Sequence, residues 1–566
     1  MQETKRQIPH AESATGTFTR LAPWTLGARF FVMIMAIAGT SILTRYMTKE
    51  EWNAYSLLKN LWWFVWMLGS LGLNEAVLRF TAELSARKDT KGFHRLLGKV
   101  LFVQVFAMAL IFAVFLLLQG FFEAIWQVSF GAGIAVLVLF SALTTWKETL
   151  RQAYIAAYWM KMVAVVSIIS ALMFPVAGYM YVRWLHLGAS AGLLAEGTGF
   201  VLMFVVFLTT LPRLKMTGHP GASRGSDAEE KRSDGKGLTP VTSAGNEDIA
   251  NYRIFRYAGA IVSNNAMSLV FGQQMVVFMI GHYLGSGGGA AGIYNLASVI
   301  PSQAFGFLTL AIVPFVQAIF TKTYYHDHSR LPELVRSYYK LMIILILPAI
   351  VIGVLFMDKA LEVLSGDRGV EAGNIAVMLL PLQFIIILVV PISAALNVLE
   401  KSQRLIIWRL LSVVGLAMYP LFLPFWPRLN TVVAIEYMRT IIFVPVIMGL
   451  AARLVGGFWF PFRFLLRAAL SCAPLAALYP LRLLWPYVAD WGLVHFHHKI
   501  IGLSLMLIIA LALSAAVLLV SVRLFRLFDK DELKYFRNAR LPGVRFIERF
   551  LVARDVREQT EMTGTP

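Results

Sequence analysis

Long apolar runs alternate with short polar turns along almost the whole chain, and Val100–Leu118 is a typical run. About 20 apolar residues in a helix cross the hydrocarbon core of a bilayer. A membrane barrel would instead show short strands of alternating polarity. Helices also bond every backbone group within one segment, as lipid requires. The pattern predicts fourteen transmembrane helices, at 25–47, 55–80, 98–120, 126–146, 160–183, 189–211, 257–284, 295–320, 338–357, 374–397, 405–426, 431–452, 464–485 and 499–523. The expected fold class is an all-α polytopic membrane protein.

Three stretches break the pattern. Residues 1–24 are polar and of mixed charge, and read as a cytoplasmic N-terminal segment. The first apolar run after them has no small-residue cleavage site, so it is expected to stay as a signal anchor. The middle of 212–256, Thr217–Asn246, is rich in Gly, Ser, Asp and Lys and cannot bury a core, which makes 212–256 a flexible linker with six spans before it and eight after. The basic tail, 524–566, intersperses Leu533, Phe536, Leu541, Phe546, Phe550 and Leu551 with Lys and Arg; broken at Pro542-Gly543, it fits two short amphipathic pieces on the membrane surface.

Composition agrees with the pattern. Of 566 residues 58% are apolar and 15% charged, against roughly 45–50% and 25% in soluble domains. A string of soluble domains is excluded, because so little polar surface cannot cover so much core. Lys and Arg number 51 against 32 Asp and Glu, a net charge of +19. With the N-terminus in the cytoplasm, 41 cations fall on inner segments or the inner ends of spans and 8 on outer loops or outer ends, and Lys59 and Arg439 are left as assigned to spans. That asymmetry places both termini inside. It accounts for the net charge through anionic inner-leaflet lipids as partners, with no nucleic acid. The single cysteine, Cys472, can form no intrachain disulfide.

The halves on either side of the linker are similar in spacing. Arg45-Tyr46-Met47 ends the first span and Tyr55 opens the second; His282-Tyr283-Leu284 ends the seventh and Tyr294 opens the eighth. Lys99 and Lys340 open the third and ninth, and the offsets are 237, 239 and 241 residues. Two parallel six-helix lobes, 25–211 and 257–454, are therefore expected around a central cavity, with spans thirteen and fourteen (455–523) added at the end.

Three segments carry a family resemblance. T-R-Y-M-T-K-E-E-W-N-A-Y-S (44–56) resembles the turn between the first two spans of Wzx-type polysaccharide-repeat flippases, in the multidrug/oligosaccharidyl-lipid/polysaccharide exporter superfamily. G-S-L-G-L-N-E-A-V-L-R-F (69–80) resembles the end of their second span, and L-N-V-L-E-K-S-Q-R (396–404) their turn between spans ten and eleven. The resemblance covers roughly 25–454. It implies flipping of an undecaprenyl-diphosphate-linked oligosaccharide to the outer leaflet of a bacterial inner membrane by alternating access. The product would be O-antigen, capsule or exopolysaccharide, and a polysaccharide polymerase and other assembly proteins would be partners. Asn53 stands where the family usually has glycine, and the linker is longer than is usual.

A charge at the centre of a span costs roughly 2.5–3.5 kcal/mol and normally faces a cavity or a partner. Lys59, the i,i+4 pair Glu75 and Arg79, and the i,i+3 pair Glu436 and Arg439 are the charged candidates for a substrate pathway. Each also has a plainer explanation: snorkelling for Lys59, structural pairing for the other two. Lys147, Glu148 and Arg151 fall at the inner end of span four, where a solvated loop is expected. Asn264, Asn265, Gln273, Gln274 and Gln303 supply amides that suit a glycan path or, equally, helix–helix hydrogen bonds. The Trp62–Trp66 aromatic run is expected to pack against lipid or between lobes. His495, His497 and His498 are a weak metal signal, as are His326 and His328. The Gly285–Gly289 run lacks the Lys-Ser/Thr of a phosphate-cradling loop, which leaves an H+ or Na+ gradient or the membrane potential as the energy source. No cofactor and no enzymatic activity are expected. A cation-coupled multidrug antiporter and a membrane polymerase or glycosyltransferase remain the alternatives. The second is disfavoured by short outer loops without paired carboxylates.

Overall fold

A computed structural model describes residues 10–86, 89–157, 159–214, 251–270, 272–285, 289–305, 320, 331–398, 406–455, 460–496, 499–525 and 527. The described residues are almost entirely helical, with no strand among them. Among the described residues ten helices are long and apolar enough to cross a membrane, or eleven counting one bent pair. The chain is a multi-pass membrane protein of helical class. It divides into two compact units, 1–292 and 293–566.

The first unit contains α1 (His10–Tyr46), α2 (Lys49–Ser70), α3 (Leu73–Ala86), α4 (Thr90–Leu117), α5 (Gln119–Trp126), α6 (Gly133–Ala156), α7 (Met160–Arg183), α8 (Ser190–Thr210), α9 (Asn251–Val270) and α10 (Gln273–Tyr283). α6 is its axis, packing against α2, α3, α4 and α8. A cluster built on Leu73, Val77, Phe80, Phe93, Leu150, Tyr154 and Phe207 ties α3, α4, α6 and α8 together. The segment read as the seventh span is α9 and α10 here, and both pack against α2 in this unit.

Two of the family-like segments have clear local causes. Thr48 caps α2: its hydroxyl accepts the Glu51 N–H at 3.2 Å, and the Glu51 carboxylate accepts the Thr48 N–H at 2.7 Å. This reciprocal box satisfies two end donors at once. α2 and α3 form the bent pair, with a 51° angle between them. The bend lies at Leu71 and Gly72, both with positive φ (48° and 65°). A Cβ on Gly72 would stand 2.5 Å from the Ala258 carbonyl oxygen, so glycine is required by conformation and by space.

A helix over 290–305, here α11, leads into the second unit. There follow α12 (Leu331–Ser365), α13 (Asp367–Ile387), α14 (Val390–Val398), α15 (Ile406–Phe422), α16 (Leu429–Leu454), α17 (Phe462–Cys472), a 3-10 helix Ala473–Leu484, α18 (Trp485–Phe496) and α19 (Lys499–Leu524). α12 is the hub, with Tyr338, Tyr339, Met342, Ile343 and Ile346 in its core. The final helices dock on it through Leu355, Phe356, Cys472, Leu475 and Ala510. Arg482 pairs with Asp358 at the same junction.

Candidate functional site

α6 begins at Gly133, seven residues later than the sequence pattern suggests, and runs to Ala156. A turn with positive φ at Gln127 and Gly131 separates it from α5. Lys147, Glu148 and Arg151 therefore lie inside a helix rather than in a solvated loop. The Arg151 guanidinium grips the Glu148 carboxylate with Nε at 2.9–3.0 Å and Nη2 at 2.5 Å. Gln152 donates to the same carboxylate at 2.8 Å. Lys147 reaches it only at 3.8 Å, and its Nζ sits 3.9 Å from the centroid of the Phe200 ring.

Lys59 of α2 is ion-paired with Glu196 of α8. Tyr55, one turn before Lys59, donates its hydroxyl to the other Glu196 oxygen at 3.2 Å. Gly192, one turn before Glu196, permits this: a Cβ there would fall 2.3 Å from the Tyr55 ring. Lys59 Nζ also lies 4.5 Å from the Trp62 ring and 5.3 Å from that of Phe140. Phe140 stacks on Phe200 at 5.4 Å, so the two lysines flank one aromatic pair. Lys147 lies within electrostatic reach of both Glu196 and Lys59.

The five charged side chains of this cluster keep between 11% and 29% of their surface open. None of the five is fully sealed in the core. Two further charges bear on them: Arg29 lies within electrostatic reach of Arg151, and Glu75 within reach of Glu148. With them, four cations meet three carboxylates. Lys147 is the cation whose nearest carboxylate is already held by another. The buried indole N–H of Trp62 has no acceptor among the described residues.

Beside this cluster lies an uncharged one. The Thr149 hydroxyl lies 2.5 Å from the Asn74 side-chain oxygen and 2.9 Å from that of Gln104, either of which can accept its one hydrogen, and Gln104 donates to Asn74 at 3.0 Å. All three residues are buried. At the other end of α2, Trp52 donates to the Gly292 carbonyl at 2.9 Å. The Gly292 N–H donates to the Asn53 side-chain oxygen at 3.0 Å. Asn53, the departure from the family pattern, thus has a structural partner. Gly292 follows it by 239 residues, one of the repeat offsets.

In the second unit Glu436 and Arg439 are paired at 2.8 Å on α16. Tyr419 of α15 donates its hydroxyl to Glu436. Tyr294 lies within electrostatic reach of both members of the pair. One Arg439 guanidinium nitrogen is buried without an acceptor among the described residues.

Of the charged residues singled out from sequence, Lys59, Glu436 and Arg439 are paired within these clusters, and Glu75 lies within electrostatic reach of the first. Glu75 and Arg79 form no ion pair among the described residues. Arg79 is exposed, with its guanidinium 4.6 Å from the Tyr257 ring centroid. Among the amides, Gln273 and Gln274 open α10 half-buried, and Gln303 buries an oxygen with no donor among the described residues. The side chains of Asn264 and Asn265, His497, His498, His326, His328, most of 396–404, the linker and most of the tail lie outside the described residues. Among those described, no group of three or more His, Cys, Asp or Glu could hold a metal.

Glu196 is the residue that sequence reasoning missed. Its partners are 137 and 141 residues away, so no local spacing marks it. The signal was the repeat: Glu196 and Glu436 are 240 residues apart, and Tyr55 and Tyr294 are 239 apart. Each unit places a tyrosine and a carboxylate at matching positions and adds its own cation.

No protein-family model and no curated protein matches the sequence. Solved structures do match its fold. An inward-facing multidrug resistance MATE family transporter of the MOP superfamily aligns with TM-score 0.59 and 11% identity, over 77% of this chain and 98% of its own. The lipid II flippase MurJ, in an inward closed conformation, aligns with TM-score 0.57 and 12% identity, over 91% of this chain and 99% of its own. The Vibrio cholerae MATE transporter VcmN aligns with TM-score 0.52 and 13% identity, over 79% and 98%. At these identities the likeness is one of fold: this chain is built like the transporters and flippases of the MOP superfamily.

Proposed function

We propose that the chain flips a lipid-linked oligosaccharide carrying a diphosphate from the inner to the outer leaflet of a bacterial cytoplasmic membrane, as a member of the Wzx-type branch, with both termini in the cytoplasm. The observation that carries this is the cation-rich, partly open cluster inside the first unit. At 1.5 Å per residue, Lys59 lies about 15 Å along α2 from its outer end, and Lys147 and Arg151 lie about 21 and 27 Å along α6. Cations are thus staged through the depth of the membrane. A diphosphate crossing a low-dielectric interior is attracted to them more strongly than in water. An organic cation would meet more cations than carboxylates there, which disfavours the drug-antiporter alternative. The wide coverage of the match to a lipid flippase is a second support. Gln303 and the amides opening α10 suit the hydrated glycan, and a gradient of H+ or Na+ or the membrane potential would drive the cycle.

The test is delivery of lipid-linked oligosaccharide to the outer leaflet, normalised to protein in the membrane, together with the lipid that accumulates on deletion of the gene. Loss of outer-leaflet glycan in Lys147→Ala, with accumulation of a polyprenyl-diphosphate oligosaccharide in the deletion strain, is the expected result. Unchanged lipid-linked sugar in the deletion strain would sink the proposal.

A further inference from the structure

We infer that Glu196 is a built-in stand-in for the substrate's phosphate, holding Lys59 while the site is empty and surrendering it when an anionic headgroup arrives. The inference rests on the reading of the chain as a carrier of lipid-linked diphosphates, and assigns one residue of that site a role in setting affinity.

Lys59 is set within a transmembrane helix, and an unpaired cation there is costly. Glu196 removes that cost in the empty state, because it is ion-paired with Lys59. The pair is not locked. Lys59 and Glu196 keep 22% and 16% of their side-chain surface open, so a phosphate oxygen can approach. Glu196 also has a second tether, the Tyr55 hydroxyl at 3.2 Å, which accompanies the carboxylate when Lys59 turns away. Lys59 has other support too, lying 4.5 Å from the Trp62 ring, whose buried N–H has no acceptor among the described residues. A phosphate at Lys59 would give that N–H a partner. Exchange of one anion for another leaves no bare charge in either state. It keeps binding weak enough for release on the far side, since the returning carboxylate competes the phosphate off. Lys147 plays the complementary part: its nearest carboxylate is gripped by Arg151, so it attracts the incoming anion without first giving up a close partner.

The test is a binding cycle on the full chain in detergent, with a short-chain prenyl diphosphate as one probe and inorganic pyrophosphate as the other. Glu196→Gln keeps the shape and the Tyr55 hydrogen bond but removes the competing charge. It is expected to tighten prenyl-diphosphate binding by roughly tenfold and to slow glycan delivery, because release is impeded. On a Lys59→Ala background the same change should have no effect on binding. Glu196→Asp, which shortens the reach to Lys59, should fall between parent and Glu196→Gln and serves if the amide folds poorly. Tightening for both probes assigns the competition to the diphosphate itself; tightening for the prenyl form alone assigns it to a lipid headgroup. If Glu196→Gln binds no tighter than parent, or tightens equally without Lys59, the stand-in role is wrong while the flippase proposal stands. If the parent and Lys147→Ala bind neither probe differently, the flippase proposal fails as well.

Discussion

Glu148→Gln and Lys147→Met should have opposite signatures, although the two residues are adjacent. Glu148 receives the bidentate Arg151 guanidinium, the Gln152 amide and, at 3.8 Å, Lys147. An amide in its place leaves Lys147 and Arg151 in a helix without the carboxylate that pairs them. Removing one partner of a buried pair costs about 3–5 kcal/mol. Arg151 keeps 29% of its side chain open, so the lower end, about 3 kcal/mol, applies. Lys147→Met removes the cation with the weakest pairing and fills its space with a similar apolar chain. The lost contact with Phe200 is offset by the relief of burying a charge, so stability should stay within about 1 kcal/mol of parent. At about 2–4 °C per kcal/mol, Glu148→Gln should melt about 6–12 °C low and Lys147→Met within about 4 °C of parent. Thermal unfolding in detergent at one scan rate measures both. Transport should divide differently: Lys147→Met, folded and inserted, should deliver little glycan. If the two variants melt together, Glu148 is not the anchor of this cluster; if Lys147→Met transports at the parent rate, the cation is not part of the path.

Arg79→Ala should change stability by less than about 1 kcal/mol, since the side chain is exposed and its visible partner is the Tyr257 ring; a loss comparable to that of Glu148→Gln would mean that Glu75 depends on it after all. Asn53→Ala should cost about 1–3 kcal/mol, because the buried Gly292 N–H loses its acceptor; Asn53→Asp, which keeps the accepting oxygen, should recover much of it in the same melting assay. In the turn before α6, Glu123 accepts the Phe130 N–H at 2.9 Å and the Gln119 amide at 3.1 Å, and these bonds hold its carboxyl below the usual carboxylate range. A depressed carboxyl stabilises the fold above its unfolded value and ceases to do so as pH falls through the folded one. Hydrogen exchange at the Phe130 amide should therefore be protected at neutral pH and lose protection in acid, below about pH 4, beyond the change seen in Glu123→Gln.

The helical membrane class was legible because many runs are long enough to settle it by hydropathy alone, while ten or eleven helices of spanning length stand among the described residues against the fourteen expected. The ends of the helices were less legible. The start of α6 is set by a turn with positive φ at Gln127, a residue type that gives no warning of it. Its C-terminal end runs past Lys147, where the charges are compensated within the fold, which no window average detects. Sequence spacing identified Glu436 and Arg439, whose interaction is local, at i and i+3. It suggested the wrong partner for Arg79, since a shared helix face does not fix which way a long side chain turns. It was silent on Glu196, whose contacts come from α2, and on the Asn74–Gln104–Thr149 triad, which needs three helices to exist.

The repeat makes those silent residues intelligible. Tyr55 and Glu196 in the first unit stand at the positions of Tyr294 and Glu436 in the second, at offsets of 239 and 240. The carboxylates are kept, while the cations are not: Lys59 comes from a different helix than Glu196, and Arg439 from the same helix as Glu436. That difference has a mechanical consequence. An i,i+3 pair moves with its helix and survives any rearrangement of the bundle. A pair joining α2 to α8 is sensitive to the packing of those helices and to whatever anion enters between them. At these two glutamates, the second unit therefore carries a pair fixed within one helix and the first a pair between two helices. For the proposed flippase, which would bind an anion in one state and release it in another, the exchangeable kind is the useful one, and the proposed difference between the units lies in how each positive charge reaches its glutamate.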